Sequence, residues 1–508
     1  MARYKSYSND KIEKEIAFGE KILPGTVEYT INEMVEHEID MSFFDIHYKN
    51  NVTGASAYNP KILLKIVLYA FSHGIVSCRR IAECCRKDER CMALAGGAEP
   101  HFTTIAHFVS SMDREIEKIF RDVLVVCDGL GLIGKEIFAL DGCKLPSNAS
   151  KEWSGTRSDF ERKRRKIKEA MDWLTKRLQE EGGTGHDPDI HEREVKQLEK
   201  LKAVDKKIAV WLAEHDDKIG KRGTPIKSNI TDNESAKMKT SHGVIQGYDG
   251  LSMVDQSHQV AVYAEVFGEA QEQHLLETMI EKTKEEFRSI GGPDNIFEKT
   301  KLLTDAGFHT EENMEMLSKE GIDAYIADNH FRQRDPRFAN AKRHKQVKPR
   351  KAKRFTPRDF IYDKNKQTCT CPAGNKMYLK NRNFVDHGRK AVCFQGRSTD
   401  CRACPLRGQC LRHKDQKTSR QVYFFEGVEE ETSESFTKKM IKKIDSWKGR
   451  VLYGFRIGVV EPVFGNIRSN LGLFRFTLRG KLKVDIQWKL FNIVHNIGKI
   501  SRYGYATS

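Results

Sequence analysis

The 508-residue chain has no run of 18 or more apolar residues, so nothing in it reads as a membrane-spanning helix. Residues Met1 to Lys11 lack the apolar core of a signal peptide. The twelve cysteines lack the regular spacing of a secreted disulfide framework; adjacent Cys84 and Cys85 and a cluster between 369 and 410 read as thiols. These absences predict a soluble, intracellular, cytoplasmic protein with no membrane partner. Acidic charge is also short, with 71 Asp plus Glu against 87 Lys plus Arg, a net charge of +16. The excess favours a polyanionic partner, although solubility alone accounts for it equally well.

Charge is scarce again between Val451 and Arg468, where Arg456, Glu461 and Arg468 stand among apolar and small residues. Pro462 is tolerated in a first helical turn, so the pattern predicts a helix starting near Glu461. Two further acids follow strand-like apolar runs and precede glycine turns: Asp141 in Glu136–Lys144 and Asp305 in Lys301–Phe308. A carboxylate at the end of a buried strand is a poor core residue and a good ligand for a hard cation. Asp232, Asp249 and Asp255 read instead as residues of polar turns.

On Asp141, Asp305 and Glu461, with Tyr453, Arg456 and Arg468, the chain resembles the DDE transposases of bacterial insertion sequences. The matching group carries a Tyr-Arg-Glu-Lys signature. Tyr453 and Arg456 keep its two-residue gap and Arg468 follows Glu461 after six residues, while Arg replaces the signature Lys and one extra residue separates Arg456 from Glu461. The resemblance implies a catalytic triad of Asp141, Asp305 and Glu461. It would hold two Mg²⁺ ions, with Mn²⁺ as substitute, Asp141 bridging and the other two holding one ion each. It also implies cleavage at the ends of the element and transfer of their 3′-hydroxyls to target DNA. Tyr453, Arg456 and Arg468 would hold phosphates, and a homodimer is expected on the DNA ends. A catalytically silent transposase-derived DNA-binding protein and a metal-dependent nuclease without strand transfer are the competing readings.

The rest of the chain is read around that triad as an α/β fold. Residues 1–130 are expected as an all-helical domain. Ile62, Leu63, Ile66, Val67, Ala70 and Phe71 form one helical face there, and Arg79 and Arg80 lie on a basic helix that the family implies contacts DNA. Residues 131–156 begin a catalytic core that continues over 218–330; its order of strands and helices is that of a ribonuclease-H-like fold. Residues 157–217 hold two amphipathic helices around Gly182, Gly183 and Gly185, a helical hairpin read as a spacer in preference to dimerisation or DNA contact, although the basic run from Arg162 to Lys166 leaves phosphate contact open. Residues 331–425 form a basic and Cys-rich insertion. From Arg332 to Arg354 it has eleven Lys or Arg against Asp335 alone, a run suited to a DNA backbone. Cys401 and Cys404 form a C-x-x-C pair, and with Cys410 and Cys371 they are the best set for a structural Zn²⁺; Cys369 and Cys393 remain substitutes. Residues 426–508 supply the Glu461 helix, Arg475 and Arg479 as further DNA contacts, and a last helix read as core.

Overall fold

The computed structural model describes residues 5–6, 17–48, 50, 55–180, 188–220, 223–241, 243–338, 354–386, 389–413, 416–425 and 435–504. The chain forms two compact units, residues 1–329 with 439–508 and residues 330–438. Most of the Arg332–Arg354 basic run and the glycines at 182, 183 and 185 lie outside the described residues.

The first unit is built on a mixed sheet. Its strands are β1 (Ile137–Pro146), β2 (Ala236–Thr240), β3 (Gly243–Asp255), β4 (Ala261–Phe267), β5 (Lys301–Thr304) and β6 (Ala324–Ile326). The order is β6-β5-β1-β3-β2, with β4 also paired to β3. β1 runs parallel to β5 and antiparallel to β3, with Asp141 opposite Ser252 and Lys144 opposite Asp249. β1 and β5 are buried apolar runs (Ile137 to Leu140; Leu302 and Leu303), as strands covered on both faces must be. Parallel pairing sets Leu140 beside Thr304, so the next residue of each chain segment, Asp141 and Asp305, leaves the shared ladder at the same level, while β1 itself continues along β3 to Pro146.

The N-terminal helices share this unit with the sheet. They include α1 (Val27–Glu33), α2 (Pro60–Ser72), α3 (Cys78–Lys87), α4 (Glu89–Leu94), α5 (Phe102–Ser111) and α6 (Glu115–Gly129). α2 is buried along nearly its whole length rather than on one face, including Lys65, whose ammonium meets Glu36 at 2.5 Å and Asn32 at 2.8 Å. The hairpin follows as α7 (Arg157–Glu180) and α8 (Pro188–Glu214), packed through Phe160, Ile167, Ile208 and Trp211 and tied by Arg164 to Asp205 at 2.8 Å. α9 (Leu276–Ser289) and α10 (Glu311–Lys319) connect the later strands.

Two C-terminal helices complete the unit, α12 (Trp447–Gly465) after a shorter α11 (Phe436–Asp445), and α13 (Lys481–Lys499). α13 is core: Trp488, Leu490, Phe491, Ile493, Val494 and Ile497 are at most 3 % exposed. Its Asn496 acts as an extra strand residue, exchanging two 2.8 Å hydrogen bonds with the Ala261 backbone.

The helix expected to begin near Glu461 begins fourteen residues earlier in sequence, at Trp447, capped by Ser446. Pro462 therefore sits inside it, where its missing N–H would orphan the Gly458 carbonyl. Gln259 fills the gap: its Nε2 donates to Gly458 O at 2.9 Å. Gln259 is itself pinned, its carbonyl by His495 Nε2 at 2.8 Å and its Oε1 by Lys499 at 2.9 Å. Gln259→Ala is expected to lower stability by about 1 kcal/mol in denaturant titration. The loss should shrink in a Pro462→Ala background, where the restored N–H can reach Gly458 O. Equal losses in both backgrounds would contradict this account.

The second unit is a five-stranded antiparallel sheet in chain order, β7 (Ile361–Asp363), β8 (Thr368–Thr370), β9 (Lys376–Asp386), β10 (Arg389–Gln395) and β11 (Gln421–Phe425). Phe360, Cys369, Met377, Val392, Phe394 and Val422 form its core. It reaches Lys438, past the boundary expected at 425. Among the described residues, no helix is long and apolar enough to cross a membrane.

Candidate active site

β1 delivers Asp141 at its sixth-last position, with the carboxylate still 18 % exposed. Immediately after β5, Asp305 caps a short 3-10 turn by accepting from Gly307 N at 2.8 Å. The two are close enough that the Asp305 charge raises the Asp141 pKa. Burial is the larger cause, and it outweighs the opposing Arg456 charge, so the Asp141 carboxyl is pushed up to about 6. Arg456, on α12, reaches Asp141 Oδ2 at 2.5 Å and lies 5.9 Å over the Tyr453 ring. Its guanidinium is therefore committed to a carboxylate here, and only 9 % exposed.

The structure adds two acids that the sequence reading set aside or passed over. Asp249 is not in a polar turn. It lies in the middle of the 13-residue β3 and is fully buried. Neither of its carboxylate oxygens has a hydrogen-bond partner, and Lys144 Nζ stands 3.6 Å away. Burial first, then Glu272, raises the Asp249 pKa well above the ordinary carboxylate value, against Lys144. Glu272 precedes α9 and accepts from Lys144 Nζ. Burial and the Glu272 charge likewise raise the Asp305 pKa.

The turn expected at Gly142 is absent, because β1 runs straight through it to Pro146, and Asp141 lies within the strand rather than at its end; crowding explains both glycines instead. A Cβ on Gly142 would stand 2.7 Å from Asp249 Oδ1, and one on Gly307 would stand 2.7 Å from Glu272 Oε2 and 2.9 Å from Asp305 Oδ1. The other two aspartates of that group have structural partners. Asp232 accepts from Tyr248 Oη at 2.6 Å and Gly480 N at 3.2 Å, and Asp255 from the backbone of Gly134, Lys135 and Ser257.

Glu461 is exposed on α12, and no hydrogen bond or ion pair joins it to Asp141 or Asp305. Arg468 is exposed as well, near enough to β1 to oppose the burial that pushes the Cys143 thiol up to about 12. Arg79 and Arg80 are exposed on α3, Arg79 lying 4.8 Å over Phe102. Arg475 and Arg479 are exposed in the segment before α13.

Lys144 and Arg456 are the cations that act most strongly on Asp141, Asp249 and Asp305 among the described residues. Four carboxylates against two positive charges, one of them a buried group with both oxygens orphaned, is a donor set suited to a hard divalent cation. Among the described residues, no three His, Cys, Asp or Glu side chains are already closed into a metal-holding group.

In the second unit, Cys371, Cys401, Cys404 and Cys410 line one cavity of about 30 Å³. Burial raises the Cys410 thiol, Arg420 opposes it, and the other three cysteines add to it. Gly396 leaves room for this cluster, since a Cβ there would stand 2.8 Å from Cys401 Sγ. Cys369 and Cys393 are core residues instead, Cys369 against Met377 sulfur at 3.8 Å and Cys393 against its neighbour's carbonyl. Four thiols on one cavity are the donor type that Zn²⁺ takes, but among the described residues they are not closed into a metal-holding group.

No curated protein matches the chain. Residues 17–111, which hold α1 to α5, match the family model described as a transposase domain (DUF772). Residues 370–501, which hold the four cavity cysteines, Glu461 and α13, match that of a transposase DDE domain. Together these two matches support an insertion-sequence transposase of the DDE type.

Proposed function

We propose that this protein cuts DNA at the ends of its insertion sequence and joins the exposed 3′-hydroxyls to target DNA, from a ribonuclease-H-like core. The observation that carries the reading is the convergence of Asp141 and Asp305, from parallel neighbouring strands, in a cluster with two more acids than cations. The transposase-domain matches at both ends of the chain support it independently.

Asp141 and Asp305 would hold Mg²⁺ or Mn²⁺, with Glu461 brought in from α12. When bound, the ions supply an activated attacking oxygen and relief of charge on the leaving one. The protein's own groups do the rest. Arg456 holds Asp141 in place through its 2.5 Å ion pair, Tyr453 supports that guanidinium, and Arg468 would fork onto a phosphate. Asp249 and Glu272 add negative potential behind the two ligands, and Lys144 keeps them from repelling each other apart. Double-stranded DNA, both element ends and target, is the substrate, and a homodimer would hold two ends at once. Arg79 and Arg80 on α3 would contact the element's DNA. The four cavity cysteines would hold one structural Zn²⁺.

The test is a cleavage and joining assay with Mg²⁺ and duplex DNA from both flanks of the gene. Joined 3′ ends are the expected product. Nicks without joining would replace the reading with a nuclease, and binding without cutting would replace it with a silent DNA-binding protein.

A further inference from the structure

The hairpin α7–α8 has so far only a packing role, yet its root borders a groove of about 600 Å³. Three separate parts of the chain bring cations to it, beside Thr231 and Val244 to Gln246. The connection after β1 gives Asn148, Lys151 and Trp153, α8 gives Lys207, and the segment before α13 gives Arg475 and Arg479. Among the described residues, four cations line the groove and no acid does.

These cations are oriented by neutral groups. Arg479 Nε donates to Asn148 O at 2.8 Å, and Asn148 Nδ2 donates to Thr477 O at 2.9 Å. Lys207 Nζ donates to Thr231 Oγ1 at 3.0 Å and lies 5.2 Å from the Trp153 ring, which Lys163 also covers at 4.0 Å. Asp232, whose carboxyl feels the Arg479 charge, is buried and already bonded to Tyr248 and Gly480. Neutral partners set geometry without cancelling charge, so the groove keeps a positive potential that only an anion from outside can satisfy.

The groove also has a direct relation to the carboxylates. Pro146, on its wall, ends the strand that carries Asp141. Five strand residues span about 17 Å, about five base-pair steps of duplex.

We propose that this groove binds the phosphate backbone of the DNA duplex about five base pairs from the cut, and that the hairpin is a DNA-binding element through Lys207. The inference rests on the transposase reading above, which supplies the DNA.

The experiment measures duplex binding by the full chain across a salt series. Lys151→Gln/Lys207→Gln/Arg475→Gln removes three groove charges, none of which pairs with an acid. Lys168→Gln/Lys200→Gln/Lys202→Gln removes three exposed charges elsewhere on the hairpin. The groove variant should flatten the slope of log K against log salt by about 2 to 3, and the control by less than 1. Arg475→Glu alone, matched to wild type by thermal melting, should weaken binding in the same direction. A wild-type slope in the groove variant and unchanged binding in Arg475→Glu would overturn the groove assignment and leave the transposase reading standing. No duplex binding by the wild-type chain would overturn that reading itself. Tight ATP binding lost in the groove variant, with its duplex slope intact, would assign the groove to a free nucleotide instead.

Discussion

Asp305→Asn is expected to lower the rate of DNA cleavage and joining by about 10³-fold, measured as single-turnover product formation. The substitution is chosen because the capping role survives it: an Asn oxygen can still accept from Gly307 N, as Asp305 does at 2.8 Å. Folding should be unchanged by circular dichroism, so a rate loss reports the missing charge. Asp141→Asn should lose as much, but it also strands the buried Arg456 guanidinium and is the less clean variant. Glu461→Gln should match Asp305→Asn if α12 brings Glu461 to the metal. Full activity in Asp305→Asn would remove this carboxylate from the chemistry.

Zinc removal is the second large effect. The purified chain is expected to carry about one Zn²⁺, and stripping it at neutral pH should unfold the second unit, since structural zinc contributes about 10 kcal/mol or more to small domains. Hydrogen exchange should show protection lost over 354–425 while β1, β3 and α13 keep theirs. Cys401→Ser/Cys404→Ser should reproduce the loss. Cys393→Ser should keep the metal, because Cys393 lies in the sheet core and not at the cavity. A chain that holds no zinc and keeps its protection after chelation would leave the four thiols as packing.

What could be read from the sequence was what local pattern encodes. Asp141 and Asp305 stood out because each follows an apolar run and precedes a glycine, and the structure gives that glycine a reason in the neighbouring carboxylates. The cavity cysteines were legible from spacing. Asp249 was not, because Tyr248-Asp249-Gly250 reads as a turn. Gly250 is there to admit the Trp488 ring, which a Cβ would meet at 2.8 Å, and the strand runs straight through. Glu272 reads as the polar first residue of a helix running to Phe287, and only long-range packing brings it to Lys144. The start of α12 was misplaced because Pro462 looks like a first-turn proline; the Gln259 side chain that permits it inside the helix lies some two hundred residues away.

The central claim is that Asp141 and Asp305 form a divalent-cation site. It is tested most directly by calorimetric titration of Mn²⁺ into the chain without DNA, after the zinc content has been measured and held constant. The account predicts saturable binding that Asp141→Asn and Asp305→Asn each abolish or weaken at least about tenfold, with a matching loss of Mn²⁺-induced thermal stabilisation. Identical Mn²⁺ isotherms for the wild-type and both variant proteins would contradict it.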